Sequence, residues 1–122
     1  MEGNKTILIV DDDKFILNVF SRILQKQGYT VEVAETGQET LEKMNESQYD
    51  LVLIDVNLPD VSGIDLVSKL NSIDPDILKI IITGFPSLED ATRAMDQGVT
   101  AYLVKPVKSE ELIALIAKKL EK

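Results

Sequence analysis

The sequence predicts an α/β domain built on a parallel five-stranded sheet, and three observations support this. Five short runs of apolar, largely β-branched residues recur along the chain, and each has about the length of a strand. Amphipathic patterns of helical period separate the runs. All four prolines fall between apolar segments, where chain breakers belong in loops. A strand–helix pair repeated five times is typical of a parallel sheet with right-handed crossovers.

The five apolar runs are the predicted strands. Most are continuously apolar, which suits strands buried on both faces of a parallel sheet. The second run alternates apolar and polar residues, so we expect it nearer an edge. The runs are residues 7–10, 30–34, 51–54, 78–82 and 101–104.

The first helical pattern follows the first strand. Asp13 precedes the pattern and is predicted to be the helix N-cap. The apolar face stops before Gly28, a residue suited to the position after a helix C-terminus. Six residues form this face: Phe15, Ile16, Val19, Phe20, Ile23 and Leu24.

Capping residues mark the starts of the second and third helices. Thr36 and Glu39 have the spacing of a capping box, and the third helix is predicted to begin near Ser62. The residues expected to face inward are apolar and spaced at helical period. They are Leu41 and Met44 in the second helix, and Leu66, Val67 and Leu70 in the third.

The fourth and fifth helices also begin at serines. Ser87, with Asp90 three residues later, is predicted to open the fourth, and Ser109 is predicted to cap the fifth. The inward residues of the fourth helix are mostly small. The inward sets are Ala91, Ala94 and Met95 in the fourth helix, and Leu112, Ile113, Ile116 and Leu120 in the fifth.

Composition narrows the classes of function. The chain has 122 residues, enough for one domain, which we expect to span residues 1–122. It has no cysteine and no histidine, which excludes disulfides, thiolate or imidazole metal sites and histidine-dependent triads. A net charge of −8 disfavours direct nucleic-acid binding. No run is long enough to cross a membrane, and the start lacks a signal-peptide pattern, so we expect a cytoplasmic protein.

Polar residues follow four of the predicted strands. Asp11 and Asp12 follow the first, Asp55 the third, Thr83 the fourth and Lys105 the fifth. Ligands of open parallel sheets gather at the carboxyl ends of the strands, so these side chains are expected to meet. Each alone has an ordinary explanation, such as a solvated turn or a surface lysine. Their convergence is what indicates a site, and Asp55 is the strongest member because it ends a buried run.

Clustered carboxylates need a neutralising partner. Two of them about 5 Å apart repel by roughly 3 kcal/mol at an effective dielectric constant of 20. Oxygen ligands without histidine or cysteine point to Mg²⁺ or Ca²⁺. The chain has no twelve-residue calcium-loop pattern, which favours Mg²⁺ as the cofactor.

This set of residues permits phosphoryl transfer. A carboxylate beside Mg²⁺ can attack a phosphoryl group and become an acyl phosphate. A lysine ammonium and a threonine hydroxyl can hold the phosphoryl oxygens. Since the chain has no histidine, the phosphoryl group must come from another molecule.

Four motifs in order resemble the receiver domain of two-component response regulators. They carry the acidic pair, the phosphorylation strand and its loop, the switch hydroxyl, and the aromatic residue with its lysine and proline. The resemblance covers residues 5 to about 121. The motifs are ILIVDD over 7–12, LVLIDVNLPDVSG over 51–63, IIITG over 80–84 and AYLVKP over 101–106.

The resemblance implies a fold, an acceptor and a metal site. The fold is flavodoxin-like and doubly wound, with strand order 2-1-3-4-5. Asp55 is the implied acceptor of a phosphoryl group from a phosphohistidine on a sensor histidine kinase or a histidine phosphotransfer protein. Asp11, Asp12 and Asp55 are the implied carboxylate ligands of Mg²⁺, together with the backbone carbonyl of Asn57.

The resemblance also implies a switch. Thr83 and Lys105 contact the phosphoryl oxygens, and Thr83 and Tyr102 change position on phosphorylation. The peptide between Lys105 and Pro106 is implied to be cis. The surface formed by the fourth helix, fifth strand and fifth helix is the implied site of homodimer or effector binding. We expect a phosphoacceptor with slow self-dephosphorylation rather than a turnover enzyme, and no output domain in this chain.

Three other interpretations compete. A flavin-binding electron carrier shares the architecture, but its first loop must cradle a phosphate, and here that loop is acidic. A metal-dependent phosphatase usually needs an aspartate two residues after its nucleophile, and position 57 is Asn. A degenerate receiver that only binds partners is disfavoured by the intact set of acids, threonine and lysine.

Overall fold

The computed structural model describes residues 4–121. Its five strands form one parallel sheet with the order β2-β1-β3-β4-β5. This confirms the predicted fold class and strand order. The strands are β1 (Thr6–Val10), β2 (Thr30–Ala34), β3 (Leu51–Asp55), β4 (Leu78–Thr83) and β5 (Ala101–Val104). The helices are α1 (Lys14–Lys26), α2 (Gly37–Glu46), α3 (Gly63–Ile73), α4 (Leu88–Asp96) and α5 (Ser109–Leu120).

Burial along the strands follows their place in the sheet. All five residues of the central strand β3 are buried, as its continuous apolar run predicts. The alternating strand β2 lies at one edge and has only Ala34 buried, so its predicted edge position is confirmed. Strand β5 forms the other edge and is only partly covered.

The helices cover both faces of the sheet and divide the apolar interior in two. Helices α1 and α5 pack on one face, with Phe20, Leu24 and Ile116 among the buried residues. Helices α2, α3 and α4 pack on the other face, where Leu66 and Leu70 are fully buried. In the described part of the chain, no helix combines the length and the apolar character needed to cross a bilayer.

Side-chain caps fix the starts of four helices. The side chains of Asp13, Thr36, Ser62 and Ser87 accept hydrogen bonds from backbone N–H groups in the first turns of α1 to α4, which confirms these predictions. The prediction for Ser109 is wrong. Lys108 occupies the N-cap position of α5 without a side-chain hydrogen bond, and Ser109 is the first helical residue.

Two predicted inward residues are exposed. Phe15 is 72% exposed because it lies in the first turn of α1, next to the carboxyl edge of the sheet, while Leu17 is buried instead. Met95 is 57% exposed. Of the described residues of α4, only Ala94 is fully buried, so this helix presents a narrower apolar face than its sequence pattern predicts.

Candidate functional site at the carboxyl edge of the sheet

Four strand ends bring polar side chains to one edge of the sheet. Asp11 follows β1 and is 4% exposed, whereas Asp55 ends β3 and is 6% exposed. Thr83 ends β4 and is fully buried. Lys105 follows β5, and its backbone N–H donates to the carbonyl of Thr83 at 2.8 Å. Parallel pairing of β1, β3, β4 and β5 therefore places these residues side by side.

Lys105 reaches across the sheet edge to two carboxylates. Its Nζ lies 3.0 Å from Oδ2 of Asp11 and 3.6 Å from Oδ1 of Asp55. Because both carboxylates are buried, this ammonium compensates part of a charge that water cannot solvate. The peptide bond between Lys105 and Pro106 is cis.

The pKa shifts at this edge follow from burial and neighbouring charge. Burial raises the pKa of Asp55, and the nearby Asp11 carboxylate raises it further, against the opposing effect of Lys105. Burial acts to lower the pKa of Lys105, but its hydrogen bond to Asp11 and the charges of Asp11 and Asp55 outweigh burial and raise that pKa. Both pKa shifts are consistent with a site where three carboxylates surround one ammonium.

The acids form a compact oxygen cluster. One carboxylate oxygen from each of Asp11, Asp12 and Asp55 lies within 4.8 Å of the other two. Both oxygens of Asp11 already accept hydrogen bonds, Oδ1 from the backbone N–H of Asp13 at 2.9 Å and Oδ2 from Lys105. Asp12 is exposed and so has the most accessible carboxylate of the three.

Thr83 and Tyr102 lie on adjacent strands. The hydroxyl oxygen of Thr83 accepts a hydrogen bond from the backbone N–H of Phe85 at 3.0 Å. Tyr102 pairs in register with Ile81 and packs against the apolar cluster under α2, α3 and α4. Its hydroxyl is buried without a hydrogen-bond partner among the described residues. A buried polar atom without a partner is rare and calls for an explanation.

The segment after Asp55 is tightly closed. The backbone N–H of Gly63 donates to the carbonyl of Val56 at 2.7 Å, and Asn57 forms an isolated bridge with Ser62. A Cβ at position 63 would overlap the carbonyl oxygen of Asp55, so glycine is required by this close approach. The backbone at Asn57 is thus held near the acids by local contacts.

Two features of this region escape sequence reasoning. The close approach of Gly63 to Asp55 depends on the packing of α3, which a strand–loop–helix pattern does not reveal. Asp60, at the tip of the loop, accepts hydrogen bonds from the backbone N–H groups of Gly37 and Gln38, both at 2.9 Å. The one sequence signal for this contact is Gly37 at the first position of α2. Glycine is a poor helix former, so its presence there suggests that another chain segment approaches closely.

Comparison with known proteins identifies what this chain is similar to. A family model of the response regulator receiver domain matches residues 7–117. The chain is 35% identical over 117 residues to the transcriptional regulatory protein ZraR of Escherichia coli K12, covering 96% of this chain and 26% of ZraR. It therefore spans about a quarter of the length of that relative.

Solved structures show the same resemblance. The crystal structure of a CheY-like receiver domain protein from Methanospirillum hungatei has a TM-score of 0.95 and 41% identity, covering 97% of this chain and 94% of that one. A response regulator protein from Burkholderia pseudomallei, crystallised with a phosphorylated aspartic acid, a calcium ion and citrate, has a TM-score of 0.87 and 27% identity. The match covers 96% of this chain and 69% of the Burkholderia chain.

Proposed function

The chain belongs to the response regulator receiver domain family, and from this membership we propose that Asp55 accepts the phosphoryl group. The observation that carries the proposal is the position of Asp55, a buried carboxylate at a strand end between a lysine ammonium and two other acids. Its raised pKa is the expected mark of a carboxylate in a charged, water-poor functional site.

In the proposed reaction, the Asp55 carboxylate attacks the phosphorus of a phosphohistidine on a sensor histidine kinase or phosphotransfer protein. The new bond joins the carboxylate oxygen to phosphorus, while the bond from phosphorus to the imidazole nitrogen breaks. The imidazole leaves and takes up a proton. Lys105 and Thr83 contact the phosphoryl oxygens, where an ammonium and a hydroxyl stabilise charge in the transition state. The domain is a phosphoacceptor with slow self-dephosphorylation, without turnover of an external substrate.

The acid cluster fits a hard divalent cation. Three carboxylates against one ammonium leave two negative charges uncompensated, and the ligands on offer are all oxygen atoms. We assign Mg²⁺ to Asp12, Asp55 and the backbone carbonyl of Asn57. Asp11 would complete the acidic set that holds the cation, while its two oxygens also accept hydrogen bonds from Asp13 and Lys105. When bound, the cation neutralises phosphoryl oxygens and so lowers the repulsion between two anions.

The acceptor is tested with a small phosphodonor. Wild-type protein incubated with acetyl phosphate and Mg²⁺ should gain one base-labile phosphoryl group by intact mass, and Asp55→Asn should gain none. Asp76→Asn is a matched control, because it removes an equivalent charge in the loop between α3 and β4, at the opposite end of the sheet. Undiminished labelling of Asp55→Asn would show that another residue is the acceptor.

The proposed readout is a rearrangement of the surface formed by α4, β5 and α5. A phosphoryl group on Asp55 adds about −1.5 to −2 charges and offers a new acceptor to the Thr83 hydroxyl. Thr83 then moves toward Asp55, and Tyr102, whose buried hydroxyl has no hydrogen-bond partner in the described part of the chain, turns with it. Helix α4 buries only Ala94 among its described residues, so little packing opposes its displacement.

This surface also carries exposed apolar side chains suited to a partner. About half or more of the residue is exposed at Leu88, Met95 and Val104 on this surface, and at Phe85 in the loop before α4. Exposed apolar patches mark interaction sites. We propose that a homodimer or an effector binds here in the phosphorylated state. We also propose a cytoplasmic location, which fits a chain without cysteine.

The switch is tested by NMR with beryllofluoride as the phosphoryl mimic. Amide chemical shifts should change in residues 87–104 as well as in the loops at Asp11, Asp55 and Lys105. Tyr102→Phe removes only the tyrosine hydroxyl and shows whether the chemical-shift changes in residues 87–104 depend on it. Changes restricted to the three loops, with residues 87–104 unaffected, would contradict the switch.

A further inference from the structure

The tip of the loop after Asp55 is fastened to a helix on the same face of the sheet. Asp60 uses both carboxylate oxygens: Oδ1 accepts from the N–H of Gly37 and Oδ2 accepts from the N–H of Gln38, each at 2.9 Å. These two donors belong to the first turn of α2, and the partners are 23 and 22 residues apart in sequence. The contact is therefore tertiary rather than a local cap.

Asp60 adds two acceptors to the capping of α2. The first N–H groups of a helix have no partner within the helix. The side chain of Thr36 accepts from the N–H of Glu39, and the side chain of Glu39 accepts from the N–H of Glu35 at 2.8 Å. Asp60 supplies the acceptors for the N–H groups of Gly37 and Gln38. A carboxylate at this helix end also interacts favourably with the helix dipole, and the two backbone hydrogen bonds lower the pKa of Asp60.

A second, independent contact joins the same two segments. A Cβ at Gly37 would overlap Cγ1 of Val61, so the helix start and the loop tip touch without room for one more methyl group. Val61 itself packs against the apolar cluster on this face of the sheet. Hydrogen bonds and close packing thus fix the distance between α2 and the loop.

The loop held in this way carries the backbone of Asn57, which the proposed function places on the metal ion. Its base is closed by the bond from the N–H of Gly63 to the carbonyl of Val56 and by the bridge between Asn57 and Ser62. Asn57 belongs to this closed base, and the anchored Asp60 follows only three residues later in the same loop. A displacement at the tip would therefore shift the Asn57 carbonyl relative to the acids.

We propose that Asp60 is a positioning residue, which anchors the loop after Asp55 to α2 and so sets the place of the Asn57 carbonyl for Mg²⁺ binding. This rests on the proposed function of the acid cluster. Groups that orient metal ligands typically contribute about tenfold or more to metal affinity, although they do not touch the metal. The same contact ties the phosphorylation loop to α2, a helix outside the proposed switch surface.

Mg²⁺ titration of the whole chain, followed by amide chemical shifts, tests this role. Asp60→Ala should lower the Mg²⁺ affinity by about tenfold and shift the Asn57 amide in the metal-free protein. Asp60→Asn should have a smaller effect, since its amide oxygen replaces one of the two acceptors. Asp76→Asn, with the same loss of charge far from the loop, should bind Mg²⁺ as the wild type does.

Gly37→Ala separates positioning from helix stability. Alanine favours a helix more than glycine does, but its methyl group would push Val61 away. We expect weaker Mg²⁺ binding in Gly37→Ala and recovery in Gly37→Ala/Val61→Ala, where the overlap is removed. Faster hydrogen exchange of Gly37 and Gln38 in Asp60→Ala, with unchanged Mg²⁺ affinity, would reduce Asp60 to a helix cap and overturn the proposal.

The wild-type protein separates this inference from the proposed function. If it binds Mg²⁺ but takes no phosphoryl group from acetyl phosphate, the proposed function fails, and the ratio of Mg²⁺ affinities between Asp60→Ala and wild type still decides the positioning role. If the wild type binds no Mg²⁺, the metal site and the positioning role are both overturned.

Discussion

Two lysines at opposite ends of the sheet have different hydrogen-bond partners and opposite pKa shifts. Lys105, at the carboxyl end, lies within 3.6 Å of two buried carboxylates, and its pKa is raised. Lys79, near the amino end of β4, is only 3% exposed, and its Nζ donates to the carbonyl of Ile77 at 2.8 Å. Burial lowers the pKa of Lys79, and the more distant charges of Asp74 and Asp76 oppose this only in part.

The contrast shows that burial alone does not place a lysine ammonium among carboxylates. Lys79 is the more buried residue, but its ammonium is bonded to a backbone carbonyl and has no carboxylate within 4.0 Å in the described chain. Lys105 is less buried, but it stands among acids that come from two other strands. What distinguishes the carboxyl end is the convergence of strand ends with opposite charges, as expected for open parallel sheets.

The largest expected effect is the difference in labelling rate between Lys105→Met and Lys79→Met. Lys105→Met removes the positive charge that we propose faces the phosphoryl oxygens, so the initial rate of labelling by acetyl phosphate should fall by roughly 100-fold. Lys79→Met lies far from the site, and its rate should stay within about twofold of the wild type. Intact mass spectrometry over time measures both rates.

Thermal unfolding of both variants provides the control, because an unfolded variant would lose labelling for trivial reasons. Equal loss of labelling in folded Lys79→Met and Lys105→Met would remove the distinction between the two ends of the sheet. Normal labelling of Lys105→Met would show that the metal alone compensates the phosphoryl charge.

A smaller effect is expected from removing one acid at the carboxyl end. Asp12→Ala should lower the Mg²⁺ affinity by at least about tenfold, since it removes the most exposed carboxylate of the cluster. Without metal, the same variant should be more stable than the wild type, by about 1 kcal/mol or less, because repulsion between nearby charges is relieved. Metal titration and chemical denaturation measure the two quantities.

Asp76→Asn is the counterpart at the amino end, where no gain in metal-free stability is expected, because its carboxylate is favourable to the Lys79 charge. If Asp12→Ala and wild type bind Mg²⁺ with equal affinity, Asp12 is not a ligand. If both variants gain stability equally, the effect reflects the net charge of −8 rather than the cluster.

The carboxyl end was the more predictable of the two regions. Its residues directly follow apolar runs, so the strand pattern alone brings Asp11, Asp55, Thr83 and Lys105 together. Two things were beyond this reasoning. Lys79 lies inside a predicted strand, and its burial depends on how α3 and α4 cover that face. In the sequence, Asp60 cannot be distinguished from an ordinary loop residue, because its hydrogen-bond partners are more than 20 residues away.

Helix faces were predicted less well than strand ends, for a related reason. The pattern in α1 includes Phe15, which is apolar and correctly spaced but lies next to the sheet edge, where the described elements leave it 72% exposed. Periodicity identifies the side of a helix that faces the sheet. It does not show how far along the helix the sheet extends.

The smallest expected effect is a pH dependence of stability due to Lys79. Its folded-state pKa is lowered, and its unfolded-state pKa is about 10.4. Between these two values the unfolded chain binds more protons than the folded chain, so stability rises with pH. The unfolding free energy of the wild type minus that of Lys79→Met should therefore increase as pH rises toward about 10.4. Urea denaturation at several pH values measures this difference.

Lys69→Met, which removes an exposed lysine of α3, controls for the change in net charge. A difference that stays flat or falls over this range would mean that the Lys79 ammonium is compensated in the folded state, and the contrast between the two lysines would then disappear.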